Sequence, residues 1–247
     1  MSAPGKRRRG SIVEATVAAL ACMAILIGLG VWQLDRKAWK ENLIASLNTR
    51  LSKAPAPLPA RENWEGLTAK NDEYLRVAFP AQFVPGESAF VYTAGSAFRP
   101  DVSGAGYWVM TPARVTGGSI VIINRGFVPL DNKEAANTLP PGSVDIVGVL
   151  RWPEQRGLFT PDNEPQNNLW YVRDPKAIAA AKHWDTVAPF YIDMEAPVPQ
   201  SGWPKPGKLV VALPDNHLQY ALTWFGLALA LGGVYVGWLA RRLSQPA

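Results

Sequence analysis

Two histidines, His183 and His217, and one cysteine, Cys22, are the whole stock of imidazole and thiol in 247 residues. A metal centre built from several such ligands is excluded, and so is carriage of Cu(I), which needs paired thiolates. No nucleophile and orienting acid stand with either histidine in a triad pattern. His183 closes an Ala-Ala-Ala-Lys stretch, where a positive-leaning side chain suits the C-terminal end of a helix. Residues 202–208 have the spacing of a phosphate-binding loop. However, Leu209 stands where Ser or Thr must hold magnesium, and Pro204 and Pro206 stiffen the turn. The sequence predicts no enzyme.

His217 is the more informative histidine, because it opens a long apolar run. At 100° per residue, Tyr220, Trp224 and Leu231 fall within about 60° of it on a helix. Two readings stand side by side. His, Tyr and Trp together can anchor a helix at the headgroup level of a bilayer. Alternatively, a neutral imidazole over aromatic side chains is a ligand for iron. The opposite face carries Gly226, Ala230, Gly233 and Gly237, with Gly233 and Gly237 forming a GxxxG pair. That face is expected to pack, against Ala21, Ala24 and Gly28, and to leave the histidine face free. Asp215 or Asn216 supplies the N-terminal cap.

The elements that position these residues follow from hydropathy. Residues 15–34 and 218–240 carry no charge, and at 1.5 Å per residue each run crosses a hydrocarbon core of about 30 Å. The first run is too long for a signal peptide, and its one small-x-small site lies inside it, so an uncleaved anchor is expected. The expected division is a tail at 1–11, a first membrane helix at 12–34, a domain at 35–216, a second membrane helix at 217–240 and a tail at 241–247. Lys6, Arg7, Arg8, Arg9, Arg241 and Arg242, less Glu14, account for the net charge of +5. Between residues 35 and 216, 19 Lys and Arg face 19 Asp and Glu. A nucleic-acid partner is therefore not expected. Six cations flank the helices on either side, a tie by count, but the terminal clusters sit in short tails undiluted by acids, which favours both tails in the cytoplasm and the domain in the periplasm.

Within the domain, Leu43, Ile44, Leu47 and Leu51 continue the first helix to about Lys53, where Pro55, Pro57 and Pro59 make a stiff linker. Strands are expected at 74–83, 89–93, 107–115, 119–127 and 144–151, then at 169–172, 190–194 and 209–213. Gly117-Gly118 is a hairpin turn, and short gaps make the sheet mainly antiparallel. Asp131-Asn132-Lys133-Glu134 has capping-box spacing, and Asp174-Pro175 starts a helix over 177–182. Arg125, after an apolar strand, reads as an edge charge beside a turn glycine, or as an anion site. Residues 161–165 read as a polar loop. The fold class is α+β: two transmembrane helices flanking a mainly antiparallel periplasmic β domain with short helices.

Six segments, in order, carry a resemblance. They are Leu29-Gly30-Val31-Trp32-Gln33-Leu34 with Arg36, Gly106-Tyr107-Trp108-Val109-Met110-Thr111-Pro112, and residues 121–129. The others are Gly148-Val149-Leu150-Arg151, Asn168-Leu169-Trp170-Tyr171-Val172-Arg173-Asp174, and Asn216-His217-Leu218-Gln219-Tyr220-Ala221-Leu222-Thr223-Trp224-Phe225. Together they resemble the Surfeit locus protein 1 family of cytochrome c oxidase assembly factors. The resemblance implies an inner-membrane protein that binds haem a or guides it to subunit I of an aa3-type oxidase. Its implied partners are subunit I, the haem a synthesis machinery and the lipid bilayer. It makes His217 the candidate axial haem ligand; Tyr220 and Trp224 share its helix face, and Lys205 and Lys208, just upstream in the chain, are candidate propionate partners. A haem-free scaffold holding oxidase assembly intermediates is the alternative. A regulator of polysaccharide export shares the two-helix layout but needs a long helical domain, whereas this one reads as strands.

Overall fold

The structure, a computed structural model, describes residues 4–86, 88–96, 98–184, 187–211 and 215–244, with side chains from residue 12 onward. In chain order come helix α1 (Pro4–Ser52), strand β1 (Ala56–Pro57), helix α2 (Ala69–Asp72), and strands β2 (Arg76–Phe83), β3 (Ala89–Gly95) and β4 (Ser103–Val115). Then follow β5 (Ile120–Pro129), β6 (Ser143–Arg151), β7 (Leu169–Trp170), helix α3 (Pro175–Lys182), β8 (Val187–Ala196) and helix α4 (His217–Ser244). The chain divides into a helical unit, Met1–Ala45 with Leu213–Ala247, and a sheet unit, Ser46–Ala212.

In the helical unit, α1 and α4 are both long and apolar enough to cross a membrane. Shielded positions on α1 run Ile12, Thr16, Ala19, Met23, Leu26, Gly30, Gln33; on α4 they run His217, Ala221, Trp224, Ala228, Leu231, Tyr235, Trp238. Both series alternate steps of four and three, the seam of a coiled-coil pair. Gln33 meets His217, Gly30 meets Phe225, Met23 meets Gly232 and Thr16 meets Tyr235, so the helices are antiparallel. The two polar contacts sit at the two ends of the seam. They are separated by 17 residues of α1, or about 26 Å, close to the thickness of a hydrocarbon core.

This arrangement inverts the expected packing. Gly226, Gly233 and Gly237 have nothing within 4 Å of where a side chain would begin, and Gly28 is equally open. The histidine face is the one that packs. It has small residues of its own in Ala221, Ala228 and Gly232, and it carries the polar groups that need partners in an apolar medium.

The sheet unit holds eight strands in the order β1-β2-β6-β8-β5-β4-β3-β7. Strand β2 pairs with β6 along one edge and, over Ala81–Phe83, with β4 along the other. Five strands, β2, β6, β8, β5 and β4, thereby close on themselves. Val77, Phe79, Ala81 and Phe83 alternate inward from β2 and meet Val121, Ile123, Ile146, Leu150, Phe190 and Ile192 in the enclosed core. A second apolar layer lies on the outer face, where Met110, Ile122, Trp170 and Tyr191 pack beneath Ile178 of α3.

The main pairings are antiparallel, as the short gaps predict; β5–β8, β1–β2 and β3–β7 are parallel. Gly117 and Gly118, at φ +89° and +81°, make the expected hairpin turn between β4 and β5. Asp174 caps α3 by accepting from the amides of Lys176 and Ala177. Three expectations are corrected. Residues 130–137 form 3-10 turns without a side-chain cap, because Asn132 leaves helical geometry at φ −120°, ψ 22°. Part of the proline linker is a strand, β1, laid along β2. Residues 209–211 are irregular, and the rest of that expected strand, residues 212 and 213, lies outside the described residues.

Candidate functional site

His217 is the first residue of α4, and its amide donates to Asp215 Oδ1 at 2.9 Å, the expected cap. Its Nδ1 lies 2.8 Å from Oε1 of Gln33, near the end of the apolar run of α1. An amide oxygen only accepts, so this contact is a hydrogen bond in the tautomer with its proton on Nδ1. In that neutral tautomer Nε2 keeps its lone pair. The ring is half-buried, so it is neither sealed off nor fully solvated. Trp224 is half-buried two turns further along the same seam, whereas Tyr220 is 55% exposed and points away from it. The structure thus brings His217 and Trp224 to the helix pair and leaves Tyr220 outside. The residues present fit an iron porphyrin to this extent: one half-buried imidazole stands at the start of an apolar helix, with Nδ1 of its ring in hydrogen-bond contact with Gln33.

Gln33 went unnoticed as a site residue in the sequence, although it stands in the first of the six quoted segments. Its signal was a strong hydrogen-bonding amide near the end of an otherwise apolar helix, where such a group must find a partner. The same two segments also place Gly30 against the Phe225 ring.

His183 is exposed and closes α3 in the left-handed region, at φ 55°, with its amide bound to carbonyls of that helix. It has no site around it. Lys205 is occupied within the sheet unit: its ammonium is 3.1 Å from Asp101 Oδ2, and its backbone bridges Phe127. The phosphate-loop spacing of 202–208 therefore describes a strap over β5, with Arg99 donating to the carbonyls of Lys205 and Pro206.

The other quoted segments converge on the outer face of the barrel. Asp193 of β8, 4% exposed, accepts from Asn124 at 2.7 Å and from Arg151 at 2.9 Å. Arg151 also donates to Glu73, and Arg173 pairs with Glu154 and approaches Asp193 at 3.5 Å. Burial works against the charge on both arginines, yet Tyr191 and the surrounding acids more than offset it and hold them above the ordinary value. Burial pushes the Tyr191 hydroxyl up, and that hydroxyl has no hydrogen-bond partner among the described residues. A cavity of about 300 Å³ opens beside this layer, lined by Tyr92, Trp108, Arg151, Glu154, Tyr171 and Arg173. Its acids and arginines pair with one another, which makes it a structural layer rather than a site for a free anion.

Arg125 is neither an edge charge nor an anion site. It is 2% exposed on a central strand and donates to the carbonyls of Ala136 at 2.7 Å and Thr138 at 2.5 Å. Burial pushes it down to about 10, and its work is to clamp the 130–138 turn to the barrel. Within residues 161–165, Asn163 accepts from the Tyr171 amide and Asp162 pairs with Arg156. Among the described residues, no group of three His, Cys, Asp or Glu stands close enough to hold a metal ion.

Residues 20–229 match the model of the SURF1 family. The chain is similar to Surfeit locus protein 1 of Rattus norvegicus, 33% identical over 234 residues that cover 89% of this chain and 74% of that one. It is 34% identical to the Mus musculus protein of the same name over the same coverage. With a SURF1-like protein of Monosiga brevicollis it shares 34% identity over 225 residues, 85% of this chain and 82% of the other.

Proposed function

This chain belongs to the SURF1 family, whose members serve cytochrome c oxidase assembly, and we propose that it does so by carrying haem a to subunit I. The observation that supports this reading is the His217–Gln33 contact, which in the Nδ1–H tautomer would keep the Nε2 lone pair of His217 for an iron ion. Haem is large and apolar with propionates at one edge, so a site at the boundary between hydrocarbon and water suits both parts. His217 supplies the coordinating nitrogen, Gln33 holds the ring, and Trp224 gives the apolar seam behind it. A single imidazole bond is reversible, as a carrier requires. The protein would receive haem a from its synthesis machinery and release it to subunit I. We place it in the inner membrane with both termini cytoplasmic, Arg241 and Arg242 closing α4 on that side, and the sheet unit in the periplasm.

A second reading, a haem-free scaffold for assembly intermediates, has one observation of its own. The Gly157–Thr160 turn presents Leu158 and Phe159 at 92% and 93% exposure, an apolar tip suited to a protein partner. The visible spectrum of the detergent-purified chain, made in a host that synthesises haem a, decides between them. His217→Ala should remove most bound haem and shift the residual Soret band, while His183→Ala leaves the spectrum alone. Full haem with an unaltered spectrum in His217→Ala makes the scaffold the better account.

A further inference from the structure

We infer that Gln33 is a positioning residue that fixes the tautomer and the ring orientation of His217, so that Nε2 is the nitrogen presented for coordination. The inference deepens the haem-carrier reading and rests on it for its purpose, though not for its test.

The chemistry starts from the amide. Oε1 of Gln33 has lone pairs and no proton, so at 2.8 Å the ring nitrogen facing it must donate. An imidazole bonded this way has its single proton on Nδ1 and cannot rotate without losing the bond. Histidines that bind metals through one nitrogen are oriented in this manner by an acceptor on the other, and loss of such an acceptor typically costs 10–100-fold in affinity. The setting sharpens the effect. His217 and Gln33 are both half-buried at one end of the α1–α4 seam, and the next seam positions, Gly30 and Ala221, are apolar.

Helix gluing is the plainer role for a glutamine in a membrane helix. The other end of the seam shows what glue alone looks like: Thr16 donates its hydroxyl proton to the Ile12 carbonyl at 2.7 Å and accepts from the Tyr235 hydroxyl at 2.5 Å. At Gln33 the partner is instead a ring whose one proton has two possible nitrogens. A positioning role therefore predicts a signature that glue does not, namely the tautomer of one histidine.

The test uses full-length protein without haem, in detergent, labelled with 15N histidine. Two histidines make the spectrum assignable by comparison with His217→Ala. At a pH where the imidazole is neutral, His217 should show a protonated Nδ1 and an unprotonated Nε2. Gln33→Met, close in shape but without the amide oxygen, should redistribute the proton toward Nε2, and Gln33→Glu should restore the Nδ1–H form. With haem added, Gln33→Met should bind 10–100-fold more weakly, and Gln33→Glu should bind within a few-fold of the parent with a displaced Soret band. An unchanged tautomer in Gln33→Met overturns the inference whatever haem does. If that variant fails to fold, Gln33→Glu decides, because an Nε2–H form there overturns the inference equally. If no variant binds haem but the tautomers behave as stated, the carrier reading fails and the positioning of His217 stands.

Discussion

Gly30 of α1 lies so close to the ring of Phe225 on α4 that any side chain at position 30 would overlap three of its ring carbons. The two residues come from the first and last of the six quoted segments, so the seam of the helix pair explains both. Gly30→Leu should force the helices apart at a cost of about 1–3 kcal/mol, the usual range for overpacking. Gly233→Leu with Gly237→Leu should leave the pair intact, because neither position has a neighbour within 4 Å. The pair can be read with Met23→Cys and Gly232→Cys in a chain whose Cys22 is replaced by Ser. The engineered cysteines should cross-link in the parent and in the double leucine variant, and fail to do so with Gly30→Leu. Any loss of oxidase-subunit co-purification in the double leucine variant would then mark that open face as a contact with a partner.

Gly126 presents the same logic in the sheet unit. It sits at φ +117°, and a Cβ there would strike the backbone of Lys205. Gly126→Ala should lift the 203–208 strap from β5 and destabilise the unit by about 2–3 kcal/mol, combining strain with lost packing. Chemical denaturation followed by tryptophan fluorescence measures it, since Trp203 of the strap packs on Phe127 of β5.

How much of this was legible follows element by element. The strands that alternate, such as β2, and the long apolar β5 were readable because burial leaves a period of two or an unbroken apolar run. The cap at Asp174 and the turn at Gly117-Gly118 were readable because their chemistry is local. Ring closure through β2 and β4 was not, since it depends on three residue pairs about 30 positions apart. The buried layer of Asp193, Arg151 and Arg173 was also hidden, because a charged residue in a strand reads as solvent-facing until its partners are placed. Arg125 misled for that reason. In the helices, small residues drew attention to the wrong face of α4. The better signal was the pair of isolated hydrogen-bonding side chains, Thr16 and Gln33, at the ends of the apolar stretch.

Asp193 ties three strand and loop segments together, and its removal should be severe. Asp193→Ala leaves Arg151 with Glu73 alone and Arg173 with Glu154 alone, with an uncompensated share of buried charge. Breaking a buried pair of this kind costs about 3–5 kcal/mol. The segment 54–215, which contains every strand, should fold alone and serve for the measurement, with circular dichroism dominated by sheet. In that segment Asp193→Ala should lower the urea midpoint markedly, and Arg151→Met added to it should recover part of the loss. Equal midpoints for the parent and Asp193→Ala would mean that this layer carries little stability.

The same layer sets the acid limit of the fold. Burial alone would raise the Glu154 carboxyl, but Arg173 overrides it, and the folded protein holds Glu154 below its ordinary value of 4.5. Asp101 is held well below the usual carboxylate range, chiefly by its hydrogen bond from Arg99. In both cases the unfolded chain binds the proton more tightly than the folded one. Their contribution is therefore complete at pH values above the unfolded carboxyl range and is lost as pH falls through it toward the folded values. Stability of the sheet unit should be flat from neutral pH down to about 5 and should decline below that. Glu154→Gln should be less stable than the parent at pH 7 and should fall less steeply between about pH 4.5 and 3, so that the two curves converge in acid. Both carboxylates are partly solvated, so added salt should shrink the difference at pH 7. Urea midpoints across that pH range provide the measurement. Parallel curves for the parent and Glu154→Gln would show that Glu154 takes no part in the acid transition.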